Sequence, residues 1–114
     1  MPYEITITDE ADSHLHALPV REQRVLEAAI SARLRDNPTK PTKAIKRLRP
    51  NPLVEYELRV GDLRVLYNVE GHDVVLVVVG RKVRNKLIVA GEKFHGHQDN
   101  PPESPGGEPA GDAE

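Results

Sequence analysis

Two arginines, Arg59 and Arg64, flank a Gly61-Asp62 step that joins two short alternating segments, Glu55 to Val60 and Leu63 to Val69. A two-residue loop that begins with glycine marks a tight β-hairpin, and it fixes the pairing of the strands on either side. Val60 pairs with Leu63, Arg59 with Arg64, Leu58 with Val65, Glu57 with Leu66 and Tyr56 with Tyr67. Side chains alternate between the two faces of a strand. Tyr56, Leu58, Val60, Leu63, Val65 and Tyr67 therefore share one face, and Glu55, Glu57, Arg59, Arg64, Leu66 and Asn68 share the other. Like charges set directly opposite one another repel, so Arg59 beside Arg64 requires a nearby acid or a bound anion. Glu57, diagonal to Arg64, is the nearby acid; the alternative is an anion such as phosphate, which suits the fixed guanidinium fork. Both readings are open at this level.

More cations gather around this pair. If a four-residue loop, Glu70 to Asp73, joins the second strand to the apolar run VVLVVV at Val74 to Val79, then Val69 pairs with Val74 and Arg64 with Val79. Parity then puts Arg81 on the face of Arg64, and a slip of one residue puts Lys82 there instead. Either way the GRKVRNK segment, with Arg81, Lys82, Arg84 and Lys86, emerges beside the arginines. A Pro-punctuated connection from Thr39 to Pro52 adds Lys40, Lys43, Lys46, Arg47 and Arg49 and contains no acid. Together these residues would form a concave basic surface suited to a polyphosphate; the blander reading is a rim of solvated charges. The net charge of -2 hides this asymmetry, because Asp99, Glu103, Glu108, Asp112 and Glu114 hold five of the 18 acids and none of the 16 bases. Residues 1–98 thus carry 16 bases against 13 acids.

Several chemistries find no support. The chain of 114 residues has no cysteine, so a disulfide framework, a thiol nucleophile and a Cys-based metal site are excluded. Of the two close histidine pairs, His14 and His16 are two apart on a helix and do not share a face, and His95-Gly-His97 has no carboxylate at useful spacing, so no metal and no cofactor is expected. There is no Gly-rich phosphate loop and no Ser-His-Asp arrangement. At 4% aromatic residues, a surface that stacks single-stranded bases is not expected either. The opening MPYEITITDEADSHL has no basic region followed by an apolar run, and no stretch is apolar for the ~18 residues of a membrane span. A reducing cytoplasm is the expected home.

The elements that must position these residues form one domain, expected over residues 1–92. Tyr3, Ile5 and Ile7 alternate with Glu4, Thr6 and Thr8, the pattern of a half-buried strand. Thr8 then caps a helix whose first turn carries Asp9 and Glu10, with Ala11, Leu15 and Leu18 at helical spacing. Pro19 interrupts, and Leu26, Ile30 and Leu34 give a second amphipathic helix, Val20 to Arg35, stopped by Asn37-Pro38. The order is β-α-α-β-β-β, with an irregular or strand-like segment from Arg84 to Ala90. This is an α+β class in which two N-terminal helices cover a small antiparallel sheet. Residues 93–114, rich in Pro and Gly and without apolar periodicity, are expected to form a disordered acidic tail.

The stretch KRLRPNPLVEYELRVGDLRVLYNVEGHDVVLVVVGRKVRN resembles the RelE/ParE toxins of bacterial type II toxin-antitoxin pairs. Leu48-Arg49, Leu63-Arg64-Val65-Leu66-Tyr67 and Gly80-Arg81-Lys82 fill the places of a Leu-Arg step, an Arg- and Tyr-bearing strand and a Gly-x-Arg/Lys exit. The resemblance spans residues 3 to about 90. It implies a fold similar to small microbial ribonucleases, a cognate antitoxin as partner and, for RelE-like members, cleavage of ribosome-bound mRNA. In that chemistry the ribose 2′-OH attacks the adjacent phosphate while cations stabilise the developing charge. Carried onto this chain, Arg64 matches the phosphate-contacting strand arginine and Lys82 or Arg81 the basic residue after the glycine, with Glu57 a candidate carboxylate base. Lys43, Lys46, Arg47, Arg49, Arg59, Arg84 and Lys86 are the candidate RNA-binding residues. The chain differs in having Glu55 and Glu57 where RelE-like members often place lysines, and Leu87, Ile88 and Val89 where a tyrosine often stands. ParE-like members, which bind DNA gyrase instead, and a binding module without catalysis are the alternatives that this pattern leaves open.

Overall fold

Thr8 shows how one residue ends a strand and starts a helix. Its Oγ1 accepts from the Ala11 N–H at 3.2 Å, and both its Oγ1 and its N–H donate to the Leu76 carbonyl, at 2.8 and 3.2 Å. The cap satisfies a helix donor that would otherwise have no partner. Acids at Asp9, Glu10 and Asp12 follow in the positive first turn. The computed structural model describes residues 2–90 together with Glu92 and Lys93. In it the strand β1 (Glu4–Ile7) is followed by helices α1 (Asp9–His16) and α2 (Val20–Leu34). Strands β2 (Ile45–Arg47), β3 (Tyr56–Val60), β4 (Leu63–Glu70), β5 (Asp73–Val83), β6 (Lys86–Val89) and β7 (Glu92–Lys93) complete the chain. The expected tail lies outside the described residues except for Lys93, which ends β7.

The sheet is mixed, which corrects the expectation of a purely antiparallel one. Neighbouring strands run antiparallel in the order β2-β3-β4-β5-β6-β7, but β1 pairs parallel with β5, from Glu4 opposite Asp73 to Ile7 opposite Leu76. The two helices form the crossover that a parallel return demands. β5 is long enough to take β4 along one edge and, on the other, β1 at its start and β6 at its end. β2, within the expected irregular connection, pairs with β3 over three residues, and Arg84-Asn85 is a two-residue turn between β5 and β6.

Apolar side chains occupy both faces. On the helix side, Leu26, Ile30 and Leu34 of α2 and Ala11 and Leu15 of α1 bury against Tyr56, Leu58, Leu63, Val65, Tyr67, Val74, Leu76 and Val79. Tyr56 and Tyr67 stack at 5.5 Å between centroids, and the Tyr67 hydroxyl donates to the Pro38 carbonyl, tying the sheet to the turn after α2. Burial pushes the Tyr67 phenol pKa well up, with Tyr56 adding to the effect. A second cluster of Leu48, Val54, Leu66, Val78, Leu87 and Val89 lies on the opposite face. Leu66 and Val78 come from β4 and β5, and the others come from β6 and from the chain between β2 and β3, which cover the side of the sheet that the helices leave open.

β6 can lie close against β5 only because residue 80 is glycine. A Cβ there would sit 2.5 Å from the Ile88 carbonyl oxygen and 3.0 Å from a Val89 methyl. Gly80→Ala is expected to cost about 2 kcal/mol or more by overpacking, read as a lower urea midpoint with an unchanged slope.

On the other side, the Val79 N–H, three residues beyond the end of the β1 pairing at Leu76, donates to His14 Nδ1 at 3.3 Å. Burial holds His14 below its usual pKa, opposed in part by Glu10. The folded state thus favours neutral imidazole, so the unfolded chain takes up the proton first as pH falls. Thermal stability should fall as pH drops below about 6.5, the ordinary histidine value. His14→Gln should show a shallower loss between pH 7 and pH 5 in paired melting curves.

Candidate functional site

The β3–β4 hairpin has the register read from the sequence in all five pairs, from Val60 opposite Leu63 to Tyr56 opposite Tyr67. Gly61 supplies the turn with φ 61°, a left-handed conformation that costs glycine nothing. Arg59 and Arg64 are therefore direct cross-strand neighbours, and Glu57 lies on their face two pairs along. The acid that like charges require is Glu57. Its carboxylate is 0% exposed, accepts from Arg59 Nε at 3.0 Å, and holds its other oxygen 3.8 Å from Arg64 Nε. A charge this deep is tolerated when opposite charge and hydrogen bonds compensate for lost water, and two guanidinium groups do so here. The carboxylate faces its arginines and not solvent.

Arg64 is 13% exposed, and its Nη1 donates to the carbonyls of Gly61 at 2.8 Å and Leu63 at 2.9 Å. Its buried Nε has no acceptor within hydrogen-bond distance. Arg64 is thus held in place by its own turn while keeping an unsatisfied N–H donor.

The next ladder decides which exit cation joins Arg64. The β4–β5 connection is a two-residue Gly71-His72 turn and not the expected four-residue loop, with Glu70 opposite Asp73 and Val69 opposite Val74. A β-bulge then intervenes: Tyr67 pairs with Leu76 but Leu66 with Val78, leaving Val77 unpaired. From there the register is one residue off the uninterrupted ladder, and Arg64 faces Gly80 in place of Val79. Lys82, two residues on from Gly80, falls on the face of Arg64.

Arg81, opposite Leu63, falls on the helix side. There it forms ion pairs with Glu22 of α2 and with Asp62, the latter at 3.1 Å. Those hydrogen bonds raise the guanidinium pKa further. Of the two residues that matched the basic position after the glycine, the structure brings Lys82 to the candidate site and places Arg81 away from it.

β2 brings in the connection. Lys46 stands opposite Glu57, and Arg47 opposite Tyr56, with its guanidinium 5.7 Å from that ring's centroid. Lys46, Arg47, Leu48, Arg49, Lys82 and Asn85 line one concavity of about 370 Å³. Lys43, Arg84 and Lys86 are exposed and do not line it, and Arg59 belongs to the Glu57 cluster.

Two contributors escaped the sequence reading. Asn85 reaches the concavity from the β5–β6 turn. Asn51 fixes the loop that carries Arg49: its Oδ1 accepts from the N–H groups of Leu53 and Val54 at 2.9 and 3.0 Å, and its Nδ2 donates to the carbonyls of Arg49 and Val54, both at 2.9 Å. The Pro50-Asn51-Pro52 triplet is the signal that could have revealed it, since asparagine commonly closes turns onto nearby backbone.

Leu87 and Val89, near the place where RelE-like members often have tyrosine, are 0% and 8% exposed and pack in the second cluster. Among the described residues, no group of three or more His, Asp or Glu could hold a metal ion, and no helix is long and apolar enough to cross a membrane.

A pair of helices on a mixed sheet, with cations rising from the strands, is a RelE-like α+β architecture. A chain of the RelBE2 toxin-antitoxin complex of Mycobacterium tuberculosis is similar with a TM-score of 0.62 and 26% identity, over 71% of this chain and 99% of that one. A chain of the archaeal RelE-RelB complex from Pyrococcus horikoshii is similar in fold with a TM-score of 0.59 at 20% identity, over 74% of this chain and 99% of that one. No protein-family profile and no curated protein sequence matches the chain. The RelE-like character read from the sequence is borne out by these structural neighbours.

Removing the buried charge should expose its structural role. Glu57→Gln is expected to lower unfolding stability by about 1–3 kcal/mol in urea titrations, because Arg64 then lies buried beside a neutral amide.

Proposed function

We propose that this chain is the toxin of a type II toxin-antitoxin pair, restrained by a cognate antitoxin protein in the cytoplasm, and that it cleaves mRNA on the ribosome. The observation that carries this reading is the convergence of Lys46, Arg47, Arg49 and Lys82 on one concavity. The β2–β3–β4 and β4–β5 ladders put Lys46 and Lys82 on the face of Arg64, while Arg47, opposite Tyr56, leans over that ring. Such a cluster attracts a phosphate backbone before any base is recognised. The similarity to chains from RelBE2 and RelE-RelB complexes supports the toxin class and the antitoxin partner.

The chemistry follows from the site. The strand of RNA lies along the concavity, with Lys46 and Arg49 holding phosphates on either side of the bond to be broken and Arg47, at its edge over Tyr56, adding to the positive field. Lys82 faces the scissile phosphate and Arg64 adds its positive charge from the same face of the sheet, so both stabilise the charge that grows as the 2′-OH attacks and the 5′ oxygen leaves. Donors held in place before the reaction are worth most in such a step, because they need not reorganise. Glu57 serves by holding Arg64 and Arg59, and Arg81 serves the fold through Glu22 and Asp62. Arg84, Lys86 and Lys43 extend the positive field around the concavity and raise the encounter rate.

Induced expression of the wild type should arrest growth and create new 5′ ends in translated mRNA. Arg64→Ala and Lys82→Ala should abolish both, a loss of at least about a hundredfold in cleavage. Arg81→Ala should retain cleavage and lose less than about 1 kcal/mol of stability, since its pairs are partly exposed. Arrest with intact mRNA would move the target from the ribosome to another, such as gyrase. No arrest from folded protein would leave a RelE-like binding module.

A further inference from the structure

We infer that the acidic segment Asp99 to Glu114 of the same chain docks into the basic concavity between β2 and the β5–β6 turn and competes there with nucleic acid. The direction of the backbone points that way. β7 runs antiparallel to β6, with Glu92 opposite Val89 and Lys93 opposite Ile88. A chain that kept this direction past Lys93 would run along β6 toward Lys86 and the Arg84-Asn85 turn, and Asn85 lines the concavity. Asn85 lies three positions along β6 from Ile88, roughly 10 Å at the rise of a strand. Asp99 follows Lys93 by six residues, which span up to about 20 Å when extended, so the first acid reaches the concavity without strain.

Charge complementarity supplies the attraction. Five acids and no base lie between Asp99 and Glu114, and four cations, Lys46, Arg47, Arg49 and Lys82, line the concavity. Each solvent-exposed pair contributes only ~0.2–1 kcal/mol. A segment tethered this closely, however, acts at an effective concentration near the millimolar range, so weak pairing suffices to populate the docked state. Nucleic acid must then displace the segment, and the displacement weakens as salt screens it.

In its consequence for activity this inference rests on the RNA-binding reading above; in its geometry it stands apart from that reading. Because the chain has no cysteine, Ser104→Cys gives the full-length protein a single attachment point for a nitroxide spin label. At low salt the label is expected to cause selective loss of amide signal at Lys46 to Arg49 and at Lys82 to Asn85. The loss should be absent from α2 and should be relieved at about 0.5 M salt, where the Debye length falls to a few ångströms. A uniform effect, or none, would overturn the docking. So would broadening of an unlabelled isotopic chain mixed with the labelled one, since the segment would then belong to a second copy.

In parallel, a variant with Asp99→Asn, Glu103→Gln, Glu108→Gln, Asp112→Asn and Glu114→Gln should bind a single-stranded oligouridylate about tenfold tighter at low salt, with the gap closing at high salt. If the label reports docking but neither protein binds oligouridylate, the docking holds and the RNA reading fails.

Discussion

Val77, the unpaired residue of the β4–β5 ladder, sets the arrangement of charge on the sheet. Because a strand alternates its faces, a single inserted residue exchanges the two faces for everything beyond it. On the near side of the bulge, Tyr67 and Leu76 meet under the helices; beyond it, Leu66 and Val78 meet on the opposite face. The same exchange sends Arg81 down to Glu22 and Asp62 and leaves Lys82 on the side of Arg64. A regular ladder would have brought Arg81 up beside Arg64 and taken the pairing partner of Glu22 away.

The second apolar cluster gives the charged face a floor. Leu66 and Val78 come from the sheet, Leu87 and Val89 from β6, and Leu48 and Val54 from either side of the Asn51 turn. Packing of Leu48 holds Lys46, Arg47 and Arg49 in a fixed relation to the sheet, so the basic connection is not a loose strand of charges. Packing of Leu87 sets β6 against β5 and brings Asn85 within reach of the same concavity. Leu87 and Val89 thus spend this stretch of β6 on packing.

What the sequence disclosed depended on how local the deciding interaction was. The β3–β4 register was readable to the residue because glycine and a two-residue gap fix it, and Thr8 and the four-residue spacing of Leu26, Ile30 and Leu34 marked the helices. The bulge was not readable, because VVLVVV has no polar alternation to show where parity changes; the alternative of a one-residue slip was the most that could be stated. The place of β1 could not be read either, since an alternating strand says which face is buried and nothing about its partner. β2 is three residues long and exists through its pairing with β3, so the prolines around it hid it. At the site, residue types were readable while membership was not. Lys43, Arg84 and Lys86 are as basic as Lys46 and Arg49, and only the fold distinguishes those that line the concavity from those that do not.

The parallel pairing of β1 with β5 joins residues 4–7 to residues 73–76. A contact so distant along the chain must wait for the segments between, and proteins built on such contacts fold slowly for their size. During synthesis, the first strand emerges and stays without its partner until most of the polypeptide has been made. The helices that follow it cannot seal their core, because Val74, Leu76 and Val79 arrive with that same late strand. The arginines and lysines are thus not assembled into a surface until β5 and β6 have been made and have paired.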